Sequence, residues 1–166
     1  MATVRASGGG RTVPLGEQAV LPGRGRIVLW VEPPPGHAFA DAAPFEARAR
    51  VRSGPAPAAA TSGAPLDASA GDPCGSPGGA VHLDPESRSW IREHPVFPCE
   101  IPVRFDLGRG ELEIDLVAYY CEDRGSGVCY YQHVCLRIAV VVSAEAACAD
   151  IEIVYRLGTP EIAPTM

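Results

Sequence analysis

The chain has no lysine; its 14 basic residues other than histidine are all arginine, a bias that carries no structural meaning of its own. It lacks any apolar run near the ~18–20 residues that a membrane-spanning helix needs. Its opening stretch, Met1 to Gly10, lacks the apolar segment of a secretory signal. A cytoplasmic chain with no membrane partner is the expectation. Excess positive charge is missing too: 20 acidic residues against 14 basic leave a net charge of −6. Nucleic acid and anionic surfaces are therefore poor partners. There is no GxSxG, no HExxH and no phosphate-binding loop, so the common catalytic signatures are excluded. Uninterrupted helix-forming sequence is scarce, because Gly 18 and Pro 17 punctuate the 166 residues and both break helix interiors. A helix bundle is ruled out.

What is present fits one folded domain. The hydrophobic fraction is 46% and the charged fraction 20%, which a packed core requires and a disordered chain does not reach. Six cysteines in a cytosolic chain suggest metal, redox chemistry or burial before a structural disulfide set.

Residues 1–12 are small and polar and read as a flexible lead-in. A single domain is expected over 13–158, with a tail at 159–166. Gly25 to Glu32 reads as a strand closed by the turn Pro33-Pro34-Pro35-Gly36-His37, with His37 a surface turn residue. Phe45, Ala47, Ala49 and Val51 alternate with Glu46, Arg48, Arg50 and Arg52, the period of a half-buried strand. Residues 53–80 are rich in Gly, Pro and Ala and read as a long mobile loop inserted in the domain. Val81 to Trp90 fits a short strand or one helical turn. Glu100 to Phe105 reads as an edge strand, because Pro102 cannot donate to a ladder. A last strand runs through Ile151, Ile153 and Tyr155. Strands joined by Pro/Gly turns predict an all-β fold, an immunoglobulin-like antiparallel β-sandwich with a long Gly/Pro/Ala-rich loop.

The clearest pattern is a long hairpin. Leu112, Ile114, Leu116, Ala118 and Tyr120 share one face of its first strand. Val134, Leu136, Ile138, Val140 and Val142 share one face of the second. The loop Glu122 to Val128 joins them. Pairing Cys121 with Cys129 sets Tyr119 against Tyr131, Glu113 against Arg137, Tyr120 against Tyr130, Leu116 against Val134 and Ile114 against Leu136. A slip of one residue destroys every match. Directly opposed residues approach disulfide reach, so the pair is either bridged or two free thiols packed beside tyrosines. Closing so short a loop stabilises by ~2.5 kcal/mol in the chain-entropy account. At a loop tip such a pair is also a candidate for redox exchange. Arg124 favours a thiolate nearby, while Glu122 and Asp123 oppose it.

A zinc site using Cys121, Cys129, His133 and Cys135 fails on distance, since Cys135 lies ~20 Å along an extended strand from Cys129. His133, four residues from Cys129, is ~13 Å away and too far for a Cys–His dyad. Glu111, Glu113 and Asp115 read as a solvated acidic stripe, with weak cation binding the remoter alternative. Cys74, Cys99 and Cys148 read as structural or incidental, with a Cys74–Cys99 link left open. No cofactor is implied.

Several strings together carry a resemblance. They are Leu21-Pro22-Gly23, Ile27 to Val31, Pro35-Gly36-His37, Ala43-Pro44, Phe97-Pro98, Ile101-Pro102-Val103, Tyr119-Tyr120-Cys121 and Gly127-Val128-Cys129. In this order they resemble the C-terminal β-domain of NHL-repeat proteins that also carry a thioredoxin-like domain and a β-propeller. His37 stands where that family has tyrosine, and Ala40 or Asp41 where it has asparagine. A more distant likeness is to the immunoglobulin-like N-terminal domain of membrane thiol–disulfide interchange reductases. The resemblance implies a non-catalytic interaction or accessory module of a thioredoxin-linked system. Its expected partner is a thioredoxin-like or β-propeller domain. Tyr119, Tyr120, Tyr130, Tyr131 and Arg124 would form the binding surface. The alternatives are a redox-active domain cycling Cys121 and Cys129, and a metal-binding domain.

Overall fold

The computed structural model describes residues 3–6, 11–41, 43–52, 79–125 and 127–159. Most of the described residues lie in strands, and none lies in an α-helix. In chain order these are β1 (Thr3–Ala6), β2 (Arg11–Val20), β3 (Gly23–Glu32), β4 (His37–Phe39), β5 (Phe45–Arg52), β6 (Val81–Leu83), β7 (Ser89–Arg92), β8 (Cys99–Phe105), β9 (Gly108–Glu122), β10 (Val128–Val142) and β11 (Ile151–Arg156). A single 3-10 turn, Pro85–Ser87, separates β6 from β7. The ambiguous stretch around Val81 to Trp90 thus holds both a strand and a helical turn.

Two sheets pack face to face. One runs β1-β10-β9-β5-β7, with β2 also on β10 and β4 also on β9; the other runs β11-β3-β8-β6. Period-2 alternation sends one side of the long strands β3, β5, β8, β9 and β10 into the space between them. Leu112, Ile114, Leu116, Ala118 and Tyr120 of β9 meet Val134, Leu136, Ile138 and Val140 of β10 there, all buried. Ile27, Leu29, Ile101, Phe105 and Ile151 cover them from the second sheet. Phe39, Phe45, Trp90 and Phe97 fill one end with ring-to-ring contacts, their centroids 5.2–5.9 Å apart. Gly25 is obligatory: a Cβ there would run into the Ala149 carbonyl oxygen.

Four expectations change. The sheets are mixed rather than antiparallel, since β1 and β2 run parallel to β10, and β11 runs parallel to β3. Side-chain alternation reports which face a residue occupies, not which way the strand runs. Within the expected lead-in, Thr3–Ala6 and the first residues of β2 are ladder-paired to β10. Backbone pairing there outweighs the small polar composition. β8 lies inside its sheet, between β3 and β6. Pro102 is tolerated because β6 pairs only Val103 to Phe105, leaving the sheet open beside it. Finally, Glu113 is buried, 6% exposed, so the acidic stripe is not simply solvated. The inserted loop lies outside the described residues over 53–78, and the tail over 160–166. Ala80, at the loop's end, is buried and its carbonyl accepts from the Asp106 amide at 2.8 Å.

Candidate functional site

The β9–β10 register is the expected one, with Cys121 opposite Cys129, Tyr119 opposite Tyr131 and Glu113 opposite Arg137. The inward face fixes it, because Ile114, Leu116, Val134 and Leu136 are all fully buried and a slip would expose them. At the loop end of this ladder Cys121 and Cys129 form a disulfide, with S–S 2.05 Å and Cα–Cα 4.0 Å. Both cysteines are half-buried and face outward.

The surroundings of the bridge differ on each side. Along the strands the next outward pair is Tyr119–Tyr131, ring centroids 5.1 Å apart. Across the sheet, Cys121 faces Ala38 of β4, an exposed residue that offers only a methyl group as cover. The loop turns through Gly125 at φ +67° and Gly127 at φ +68°, left-handed backbone that favours glycine. Arg124 sits exposed at its tip.

The tyrosines divide by face. Tyr120 and Tyr130 point inward, 0% and 5% exposed, and stack at 5.6 Å. The Tyr120 hydroxyl donates to the Gly158 carbonyl at 3.0 Å, and that of Tyr130 donates to Glu122 Oε1 at 2.9 Å. These two hold the strands in place; the surface beside the bridge belongs to Tyr119 and Tyr131. His37, expected as a plain turn residue, opens β4 and packs edge-on against Tyr120 and Tyr130 at 5.6 and 5.5 Å. Its turn is tied to the hairpin loop by the Asp123 amide, which donates to the Gly36 carbonyl at 2.9 Å. The turn's closeness to the hairpin could not be read from composition, because β4 is three residues long and its partner lies far along the chain.

Farther down the outer face lies a charge ladder. Arg50 Nε donates to Glu113 Oε2 at 2.6 Å, and Arg137 Nη2 donates to Glu113 Oε1 at 3.2 Å. Arg52 and Arg137 both reach Glu111, at 3.3 and 3.0 Å. The Arg50 hydrogen bond is the main cause holding the Glu113 carboxyl below its usual range, against the opposing effect of burial. The sequence did contain this signal: arginines at every second position of β5 face carboxylates at every second position of β9.

His133 faces Val117 and reaches Asp115 Oδ1 at 3.6 Å, beside a shallow depression of about 360 Å³ lined also by Glu46, Arg48 and Arg50. Cys135 faces Asp115; burial first, then the nearby carboxylates, push its thiol pKa up and away from nucleophilic reactivity. Cys99 is fully buried and its thiol is pushed up to about 12, chiefly by burial. Cys148 is exposed, and Cys74 lies outside the described residues. Among the described residues no group of three or more His, Cys, Asp or Glu side chains is placed to hold a metal ion. No helix among them is long and apolar enough to cross a membrane.

The chain matches no known protein-family model, and no curated protein is significantly similar to it in sequence.

Proposed function

We propose that the chain is a non-catalytic interaction module whose binding surface centres on the hairpin tip closed by Cys121–Cys129. The observation that carries this reading is the placement of the bridge. It closes a ladder whose register is fixed by fully buried residues, and it presents Tyr119 and Tyr131 as one outward aromatic pair. Aromatic side chains held rigid on a strand lose little entropy on binding and suit a protein partner. Membership of a thioredoxin-linked system, with a thioredoxin-like or β-propeller partner, rests on the resemblance of the hairpin and turn strings.

A second reading is favoured by Ala38. Its small, exposed side chain leaves the Cys121 side of the bridge open to an incoming thiolate. In that case a reduced thioredoxin-like dithiol attacks one sulfur of the bridge, a mixed disulfide forms, and the other hairpin sulfur leaves as thiolate. The partner's second thiol then resolves the mixed disulfide, leaving the partner oxidised and the hairpin reduced. The two readings also differ in compartment: a permanent staple suits an oxidising one, a cycling pair the reducing cytoplasm.

The test is incubation of the oxidised protein with a reduced thioredoxin whose resolving cysteine is serine. A staple predicts an intact bridge and no mixed disulfide. Accumulation of the covalent complex would reject the staple in favour of exchange.

A further inference from the structure

We infer that the outer face of the four-stranded sheet carries an oxyanion-binding site built on Arg24, Arg104 and His82. Register places Arg24 of β3 opposite Arg104 of β8, and Arg104 opposite His82 of β6. All three alternate with inward residues, so three basic side chains share one rung of one face. They line a common depression of about 410 Å³ together with Asp84 and Pro102.

Like charges directly opposed across strands destabilise a sheet. Such a local conflict, with no structural return, is the kind of feature that function sustains. Arg26 shows the alternative two residues away on the same strand: its guanidinium lies 3.2 Å from Glu100 and 3.0 Å from Asp150. Arg24 has no carboxylate within ion-pair distance among the described residues. Arg104 has Asp106 at 3.9 Å, but that carboxylate lies closer to His82 Nε2, at 2.6 Å. Asp106 and Asp84 offset part of the positive charge, so the rung suits one small anionic group and not a polyanion. Two guanidinium forks facing one depression match the paired oxygens of a phosphate or carboxylate group.

The experiment is an amide chemical-shift titration of the full chain with inorganic phosphate and, separately, with succinate, sodium chloride holding ionic strength constant. Saturable shifts at residues 24, 82, 103 and 104 are expected, with affinity falling about tenfold in Arg24→Gln and in Arg104→Gln. A stronger response to phosphate assigns the ligand group as phosphoryl, and a stronger response to succinate assigns it as carboxylate. No saturable response to either anion, or a response unchanged in the variants, overturns the site. Arg24 is exposed, so Arg24→Gln should leave the rest of the spectrum in place; should one variant fail to fold, the other decides.

Discussion

On the outer face of the seven-stranded sheet, Arg50 lies 2.6 Å from Glu113 and 3.4 Å from Asp115. On the outer face of the four-stranded sheet, Arg24 stands opposite Arg104 instead. Both faces are built by the same alternation and both carry arginine. The charges of the first are satisfied from within: their ladder links β5 through β9 to β10, and a disulfide closes the far end of the β9–β10 hairpin. The second keeps one rung of like charge and an exposed apolar pair, Trp30 at 38% and Val154 at 64%, directly opposed on β3 and β11. The paired charges of the first face serve the fold and leave its binding capacity to Tyr119 and Tyr131 at the hairpin tip, whereas on the second the like-charged rung itself is left over for binding.

The contrast can be broken at several points. The largest effect is expected from the double substitution Cys121→Ser, Cys129→Ser, which should cost about 2.5 kcal/mol in denaturant unfolding through lost loop closure. Next is Glu113→Gln, which removes the charge shared by Arg50 and Arg137 and turns one of its two acceptor oxygens into a donor NH2 while keeping its shape. A loss of about 1–3 kcal/mol is expected, because hydrogen bonds to a charged group are given up at a buried site.

The same carboxylate sets a pH dependence. Its pKa is lowered in the folded state, so its contribution is complete above the unfolded value of about 4.3 and fades as pH falls through the folded value. Unfolding followed against pH should show an acid-side loss that is smaller in Glu113→Gln. The four-stranded face should respond in the opposite sense. In phosphate-free buffer Arg24→Gln relieves a like-charge pair and should raise stability by a few tenths of a kcal/mol. Labelling the native protein with a thiol reagent should leave stability nearly unchanged. Among the described free cysteines, Cys148 should react first and Cys99 only on unfolding, since one is exposed and the other is buried with its thiol pushed up to about 12.

Much of the hairpin was legible because buried alternation on two adjacent strands admits a single register. Leu116 against Val134 and Ile114 against Leu136 fix the pairing of Cys121 with Cys129 without any tertiary information. What was not legible depends on contacts distant in sequence. Parallel pairing of β11 with β3 joins Ile151 to Ile27, and no local pattern announces strand direction. His37 looked like a turn residue because its partners, Tyr120 and Tyr130, lie more than eighty positions away in the chain. The division of the four tyrosines into two buried and two outward follows from strand parity; the division of labour between them needed the tertiary contacts of Tyr120 and Tyr130.

The central claim is that Cys121–Cys129 is a staple serving a binding surface. It is tested most directly by a redox titration of the intact protein against a dithiothreitol ladder, read by mass labelling of freed thiols. The account predicts a midpoint below about −300 mV, in the range of structural bridges. A midpoint between about −180 and −270 mV, among exchange-active dithiols, would contradict it.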